Sequence, residues 1–359
     1  MNTAAPRRST DGASRAPQPP TDALASFDAD TVVRRLHPVG VHAGAPLSFV
    51  ATPADVFALA ATSMAAAEAR LRELVASEVD VVAAIGAYLS AAGGKRLRPL
   101  LTALGAGAVG YGGRLDGLMC AGELIHLGSL LHDDVVDDAS TRRGLPAAQR
   151  VYGNAAVILT GDFCLARAVL LAATDGGHAA VTSLAAAVTA MAEGEVLQLQ
   201  RAGNLDTTLE QYLEMIDKKS AALIAWCASA GALAAGDPAA AEALELFGRG
   251  VGVAFQITDD VLDYAEGTGK PAGQDLRERK LTLPLLFAME RVPDLRARLE
   301  TDDLAVLLDV VRGCGALDAA QAEARRRVGV SLGALEALPP SVYRDALAVL
   351  GRHLVERSS

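Results

Sequence analysis

Aromatic residues are scarce in this chain, 4% of 359 positions, and runs in which Val, Ile and Thr alternate with polar residues are scarce as well. Both shortages argue against a sheet-built core, because strands draw on β-branched and aromatic side chains. Cysteine is rare too: Cys120, Cys164, Cys227 and Cys314 lie far apart, which suggests neither a disulfide framework nor a zinc site. They read as small buried hydrophobes in a reducing compartment, so a cytoplasmic location is expected. Positive charge is in deficit. Lys and Arg number 33 against 43 Asp and Glu, a formal net charge of −10, which gives no general reason to approach a nucleic acid. The longest uncharged stretch, 220–236, contains Ser and Gly. It falls short of the roughly 18–20 strongly apolar residues a spanning helix needs, so a soluble or peripheral protein is expected.

What the chain does have is Ala, Leu and an apolar content of 51%, enough to bury a large core. The predicted class is all-α. Residues 1–50 read as a poorly ordered tail and 51–359 as one helical domain. The tail carries Pro6, Pro17, Pro19 and Pro20 among polar residues, and its Arg7-Arg8 pair is not followed by the apolar segment of an export signal. From Thr52-Pro53, an N-cap and first helical position, apolar residues recur at steps of three and four. Breakers fall at Gly93-Gly94, Gly110 to Gly113, Gly144 to Pro146, Gly176-Gly177, Gly203-Asn204, Gly236 to Pro238 and across 267–273. The segment 117–138 puts Leu124, Leu127, Leu131 and Val135 on one stripe, and 241–264 does the same with Leu244, Phe247, Val251 and Phe255.

Each of these two helices ends in aspartates. His-Asp-Asp-Val-Val-Asp-Asp at 132–138 stacks Asp133 over Asp137 and Asp134 over Asp138 at helical i,i+4 spacing. Asp259 and Asp263, with Asp260 beside them, repeat the pattern. Such crowding near a helix C-terminus is unfavourable through like-charge repulsion and the macrodipole, so a cation is expected there. Hard carboxylate oxygens suit magnesium, which completes its shell with water and phosphate oxygens. Basic segments accompany the clusters: Gly93-Gly94-Lys95-Arg96-Leu97-Arg98-Pro99, Arg142-Arg143-Gly144, Lys218-Lys219-Ser220, and Lys270 with Lys280. Arginine forks and lysine point charges at such places suit diphosphates.

The order of these segments resembles the trans-isoprenyl diphosphate synthase family over roughly residues 52–358, and most nearly its long-chain, octaprenyl-type members. The resemblance implies a large bundle of the isoprenoid synthase type with a central cavity, and a homodimer. It implies three magnesium ions held by Asp133, Asp134, Asp137, Asp259, Asp260 and Asp263, with Asp133, Asp137 and Asp259 foremost. It assigns isopentenyl diphosphate to Lys95, Arg98, His126 and Arg143. The allylic diphosphate falls to Arg142, Lys219, Ser220, Gln256 and Lys280, Ser220 standing where the family more often has threonine. The implied reaction ionises the allylic C–O bond, after which the terminal alkene carbon of isopentenyl diphosphate attacks and the released diphosphate takes the final proton. Gly128 and Ser129, about 6–7.5 Å below Asp133 along a helix, would leave room for a long prenyl tail. A farnesyl or geranylgeranyl diphosphate synthase, a terpene cyclase and a non-catalytic regulatory subunit are the competing readings. Peripheral membrane contact during release of a long product is a further expectation.

Overall fold

A computed structural model describes residues 49–91, 94–142, 144–265 and 272–356 of the chain. The expected tail up to residue 48, Gly93, Arg143, Lys270 and most of the breaker-rich segment 267–273 lie outside the described residues.

The described chain is a succession of helices: α1 (Pro53–Leu74), α2 (Asp80–Ala91), α3 (Leu97–Ala108), α4 (Leu115–Val136), α5 (Ala148–Tyr152) and the long α6 (Asn154–Arg201). Then come α7 (Leu209–Ile216), a π-helical turn (Asp217–Ala221), α8 (Ala222–Ala235), α9 (Pro238–Leu262) and α10 (Gln274–Arg277). The C-terminal part adds α11 (Leu283–Arg291), α12 (Leu295–Thr301), α13 (Leu304–Gly313), α14 (Ala316–Leu332) and α15 (Val342–Val355). Among the described residues the only strands are two-residue β1 (Thr141–Arg142) and β2 (Leu145–Pro146), antiparallel and turned by Gly144 at φ 81°. The all-α expectation holds.

The sequence signals explain where helices begin and end. Thr52 accepts a hydrogen bond from the Asp55 amide while the Asp55 carboxylate accepts from the Thr52 amide, and Pro53 takes the first position of α1. Gly236 closes α8 in the left-handed conformation, and Asp237 caps α9 ahead of Pro238. The predicted stripes are core: Leu124, Leu127 and Leu131 of α4, and Leu244, Phe247 and Val251 of α9, are buried, with Val135 and Phe255 partly so. One hydrophobic core gathers α1–α6, α8, most of α9 and α15. A second gathers α7, the last turns of α9 and α10–α14. Helix α9 runs from the first core into the second, so both fix the direction of its aspartate-bearing end. All four cysteines are free thiols.

At Gly176-Gly177 the expected break is a kink inside one helix. Gly177 has φ 74° and ψ −169°, a region essentially restricted to glycine. Two hydrogen bonds pin α6 on either side of it. Tyr111 Oη donates to the Asp175 carbonyl and Trp226 Nε1 to the Ala180 carbonyl, each at 3.0 Å. Helix α6, with its 48 residues, is also long and apolar enough to span a membrane by composition, unlike the uncharged stretch 220–236. It lies lengthwise against α4 and α8, yet its most apolar window is only 39% buried, and Ile158, Leu159, Val169 and Leu170 stand exposed.

Replacing Gly177 with alanine forces a side chain into that backbone region. The Gly177→Ala protein should lose on the order of 1–3 kcal/mol of stability, read as a lower urea unfolding midpoint.

Candidate active site

Most of α4 is buried, but one stripe is open: His126, Ser129, Leu130 and Asp133 are half-exposed and Asp137 is exposed. On α9, Gln256 and Asp263 are half-exposed and Asp259 is exposed; on α6, Met191, Glu195 and Gln198 form another half-exposed row. The charges on these stripes act on one another across the helices, and Lys219 Nζ of the following turn lies 2.7 Å from Glu195. Burial pushes the Asp133 carboxyl up to about 6, Glu195 pushes in the same direction, and Lys219 and Arg142 pull it back. Burial opposes the charge of Lys280, but Glu278, Asp137 and Asp275 together hold its ammonium above the ordinary lysine value. Lys280 thus feels the first aspartate cluster through Asp137 and the segment after the second through Asp275 and Glu278.

The second aspartate of each cluster is turned inward. Asp134 is 1% exposed, pairs with the Arg142 guanidinium, and its backbone carbonyl accepts from Gln149 Nε2 at 2.7 Å. Asp260 is 6% exposed and accepts from Tyr212 Oη at 2.6 Å and from Gln256 Nε2 at 2.8 Å. Ser220 Oγ donates to Gln256 Oε1 at 2.6 Å, completing a relay from the π-turn to α9. Burial raises the Asp260 carboxyl despite these two donors. Asp133, Asp137, Asp259 and Asp263 therefore keep exposed surface, while Asp134 and Asp260 anchor neighbouring side chains.

The π-turn is what presents Lys219. Such turns carry i→i+5 hydrogen bonds and are frequent at functional sites. Lys219 Nζ lies 2.7 Å from Glu195 and donates to Gln198 Oε1 at 3.1 Å. From α9, Arg249 donates to Asp217 at 2.7 Å and fixes the start of the turn. On the loop before α3, Lys95 is exposed, Arg96 is buried and Arg98 is half-buried. Desolvation lowers the Arg98 pKa against the pull of Glu123 and Asp259, and its Nε is buried with no hydrogen-bond partner. A buried guanidinium donor left over in this way fits an anionic ligand. Arg143 lies outside the described residues.

Several site groups were not singled out in the sequence. Glu195 and Gln198 sit mid-helix, Tyr212 is far from either cluster, and Glu278 and Asp275 follow the second cluster. Asp275 lies inside the Gly-Gln-Asp-Leu segment; its backbone N–H donates to Asp263 at 3.0 Å, and burial, with Asp260 and Asp263 close by, raises its carboxyl. One expectation needs correction. Gly128 does not border open space: a Cβ placed there would meet the Gly161 carbonyl of α6 at 2.9 Å and Cys164 Cβ at 3.4 Å. It is a helix-crossing residue. Ser129, half-exposed with Oγ donating to the His126 carbonyl at 2.9 Å, lies on the open stripe.

Comparison with known proteins agrees with this arrangement. A family model described as polyprenyl synthetase matches residues 79–302. The octaprenyl diphosphate synthase of Escherichia coli is 38% identical over 313 residues, spanning 83% of this chain and 97% of that enzyme. A polyprenyl synthase from Caulobacter crescentus CB15, solved in complex with calcium and isoprenyl diphosphate, has a TM-score of 0.81 at 39% identity, covering 87% of this chain and 99% of its own. A decaprenyl diphosphate synthase from Rhodobacter capsulatus reaches 0.78 at 38% identity, covering 85% and 98%. A family model that matches residues 79–302, and likenesses in sequence and structure that run along more than four-fifths of the chain, make this chain a member of the polyprenyl synthetase family.

Proposed function

We propose that the protein is a magnesium-dependent trans-polyprenyl diphosphate synthase that condenses isopentenyl diphosphate onto an allylic primer such as farnesyl or geranylgeranyl diphosphate, giving long, octaprenyl-like products. The observation that carries this reading is a set of opposed charges from separate helices: Lys219 Nζ of the π-turn lies 2.7 Å from Glu195 of α6 and, with Arg142, acts on Asp133 of α4, while Asp137 and Asp275 help to keep Lys280 charged.

The donor set fits magnesium. All candidate ligands are carboxylates, and among the described residues no three acidic, imidazole or thiol side chains converge into a cage of their own. Magnesium commonly takes one or two carboxylates and fills its shell with water and substrate phosphate oxygens, which suits carboxylates standing singly or in pairs. Three ions held by these aspartates would supply positive charge to the leaving diphosphate.

The chain's own residues do the rest. Lys219, Lys280 and Arg142 face the allylic diphosphate as fixed cations, so charge developing on the leaving oxygen is met without reorganisation. Gln256, held by Ser220 and Asp260, offers an oriented amide at the same wall. Lys95, Arg98, His126 and Arg143 hold isopentenyl diphosphate, and the unpartnered Arg98 Nε is the donor that waits for it. The allylic C–O bond breaks, the terminal alkene carbon of isopentenyl diphosphate forms the new C–C bond, and the proton lost goes to the departing diphosphate. The apolar walls of the bundle keep water from the cation formed between these steps. No aspartate or cation of the scheme is replaced in this chain, which favours a catalytic over a regulatory subunit. We also propose a homodimer through the exposed apolar side of α6, since closed two-fold pairing is the commonest way to cover such a face.

Purified protein given farnesyl diphosphate, isopentenyl diphosphate and magnesium should yield products of about seven or more isoprene units by mass spectrometry, a length that follows from the small residue on the open stripe. Asp133→Ala should lower turnover by on the order of a hundredfold or more. Ser129→Phe should shorten the ladder; a ladder that ends at farnesyl or geranylgeranyl diphosphate in the unmutated protein would refute the long-chain assignment.

Magnesium binding should depend on pH in the slightly acidic range. The Asp133 carboxyl, raised to about 6 by burial and Glu195, contributes stability to the metal-free protein that is present below the unfolded carboxylate value and is lost as pH rises through about 6. Magnesium prefers the ionised form. The magnesium-induced rise in unfolding temperature should therefore grow between about pH 5 and pH 7.5, and Asp133→Asn should flatten that growth. Leu159→Glu with Leu170→Glu should convert the dimer to a monomer in sedimentation velocity.

A further inference from the structure

Arg96 is the cation of the glycine-led loop that the proposed chemistry leaves unused. It precedes α3 in the left-handed backbone conformation, φ 48° and ψ 37°, without capping the helix through its side chain. For a residue with a Cβ that conformation is disfavoured, and it persists where surrounding contacts over-determine it. The contacts are unusually complete. The guanidinium is 6% exposed, donates from Nη1 to Glu123 at 2.7 Å, and forks onto Glu68 through Nε at 3.0 Å and Nη2 at 3.3 Å. Burial opposes its charge, but Glu123 and Glu68 hold its pKa above the ordinary arginine value.

Each partner belongs to a different element. Glu68 is on α1 and Glu123 is on α4, one turn before His126. Glu123 also acts on the buried Arg98 guanidinium two residues beyond Arg96. Two carboxylates and two guanidiniums thus balance beneath the loop. With Arg96 drawn inward, Lys95 on one side is exposed, and Arg98 on the other keeps its buried Nε unpartnered. A planar fork gripping two helices fixes orientation as well as distance, which a lysine at the same place cannot do.

We propose that Arg96, Glu68 and Glu123 form a buried fastener that sets the register of Lys95 and Arg98 against His126, and so act as positioning residues for the isopentenyl diphosphate subsite rather than for the allylic one. This inference rests on the synthase reading above. Misplacing a binding group by about an ångström can change a rate constant by two orders of magnitude, so the loss should be large and confined to one substrate.

The test is steady-state kinetics of the full chain carrying Arg96→Lys, Glu123→Gln or Glu68→Gln, each substrate varied in turn. The KM for isopentenyl diphosphate should rise about tenfold or more while the KM for farnesyl diphosphate changes less than about twofold, the pattern of lost binding at one subsite. Glu68→Gln, which leaves the Glu123 pair in place, should give the smallest effect and is the variant to read if the others do not fold. Calorimetric titration with isopentenyl diphosphate alone, under magnesium, should show the same weakening without turnover. Equal rises in both KM values, or no change in either, would overturn the fastener. If the unmutated chain neither binds nor consumes isopentenyl diphosphate, the synthase reading itself fails, whatever the variants do.

Discussion

Carboxylates on partly buried helix ends repel one another, and the cations packed around them are arranged to offset that repulsion. Asp133, Asp137, Asp259, Asp263, Glu195 and Asp275 are borne on four separate helices or their ends, and the cations Lys219, Lys280 and Arg142 lie among them. Burial first, and neighbouring carboxylates after it, raise the carboxyls of Asp133, Asp260 and Asp275. In the proposed reaction a polyanionic substrate would enter with cations of its own, and the aspartates would then become an asset instead of a penalty.

The division of labour within each cluster follows from helical geometry. Adjacent aspartates on a helix point about 100° apart, so only the first and fifth share the open stripe. The second must turn toward the packed interior, where an isolated carboxylate is costly unless it is paired or hydrogen-bonded. Arg142 meets Asp134, and Tyr212 with Gln256 meets Asp260. In each case the buried aspartate fixes a side chain that faces the diphosphate in the proposed reaction. Both motifs therefore keep two aspartates exposed or half-exposed and use a third to fix the groups beside them.

Much of this was legible in the sequence, for physical reasons that differ by residue. The stripes of α4 and α9 follow from the helical period, and Thr52-Pro53 and Asp237-Pro238 mark helix starts through capping chemistry that is local in sequence. The aspartate spacings read directly as columns on a helix. Glu195, Gln198 and Tyr212 could not be found this way. Each is an ordinary residue on its own helix and gains its role only when tertiary packing brings it against Lys219 or Asp260. Gly128 was misread because helical rise gives the height of a residue below Asp133 but not which neighbour it faces. Arg96 was read as one more basic residue of a loop, since sequence cannot show that Glu68 and Glu123, on other helices, wait beneath it.

The shortage of aromatics and the wealth of small residues, first visible as composition, finally explain how the π-turn is held. A Cβ on Gly194 of α6 would lie 2.5 Å from the Lys219 backbone nitrogen, and one on Gly252 of α9 would lie 2.6 Å from Ala221 Cα. The turn is clasped between two helix backbones with no side chain interposed on either side. At that separation a widened turn cannot relax to regular α-helix without colliding with one wall or opening a gap at the other, and interiors tolerate neither cheaply. The bulge that aims Lys219 and Ser220 is thus imposed by the close approach of α6 and α9. A core of larger side chains would have spaced these helices apart and left the lysine on an ordinary helical face, one residue out of phase with the aspartates it must balance.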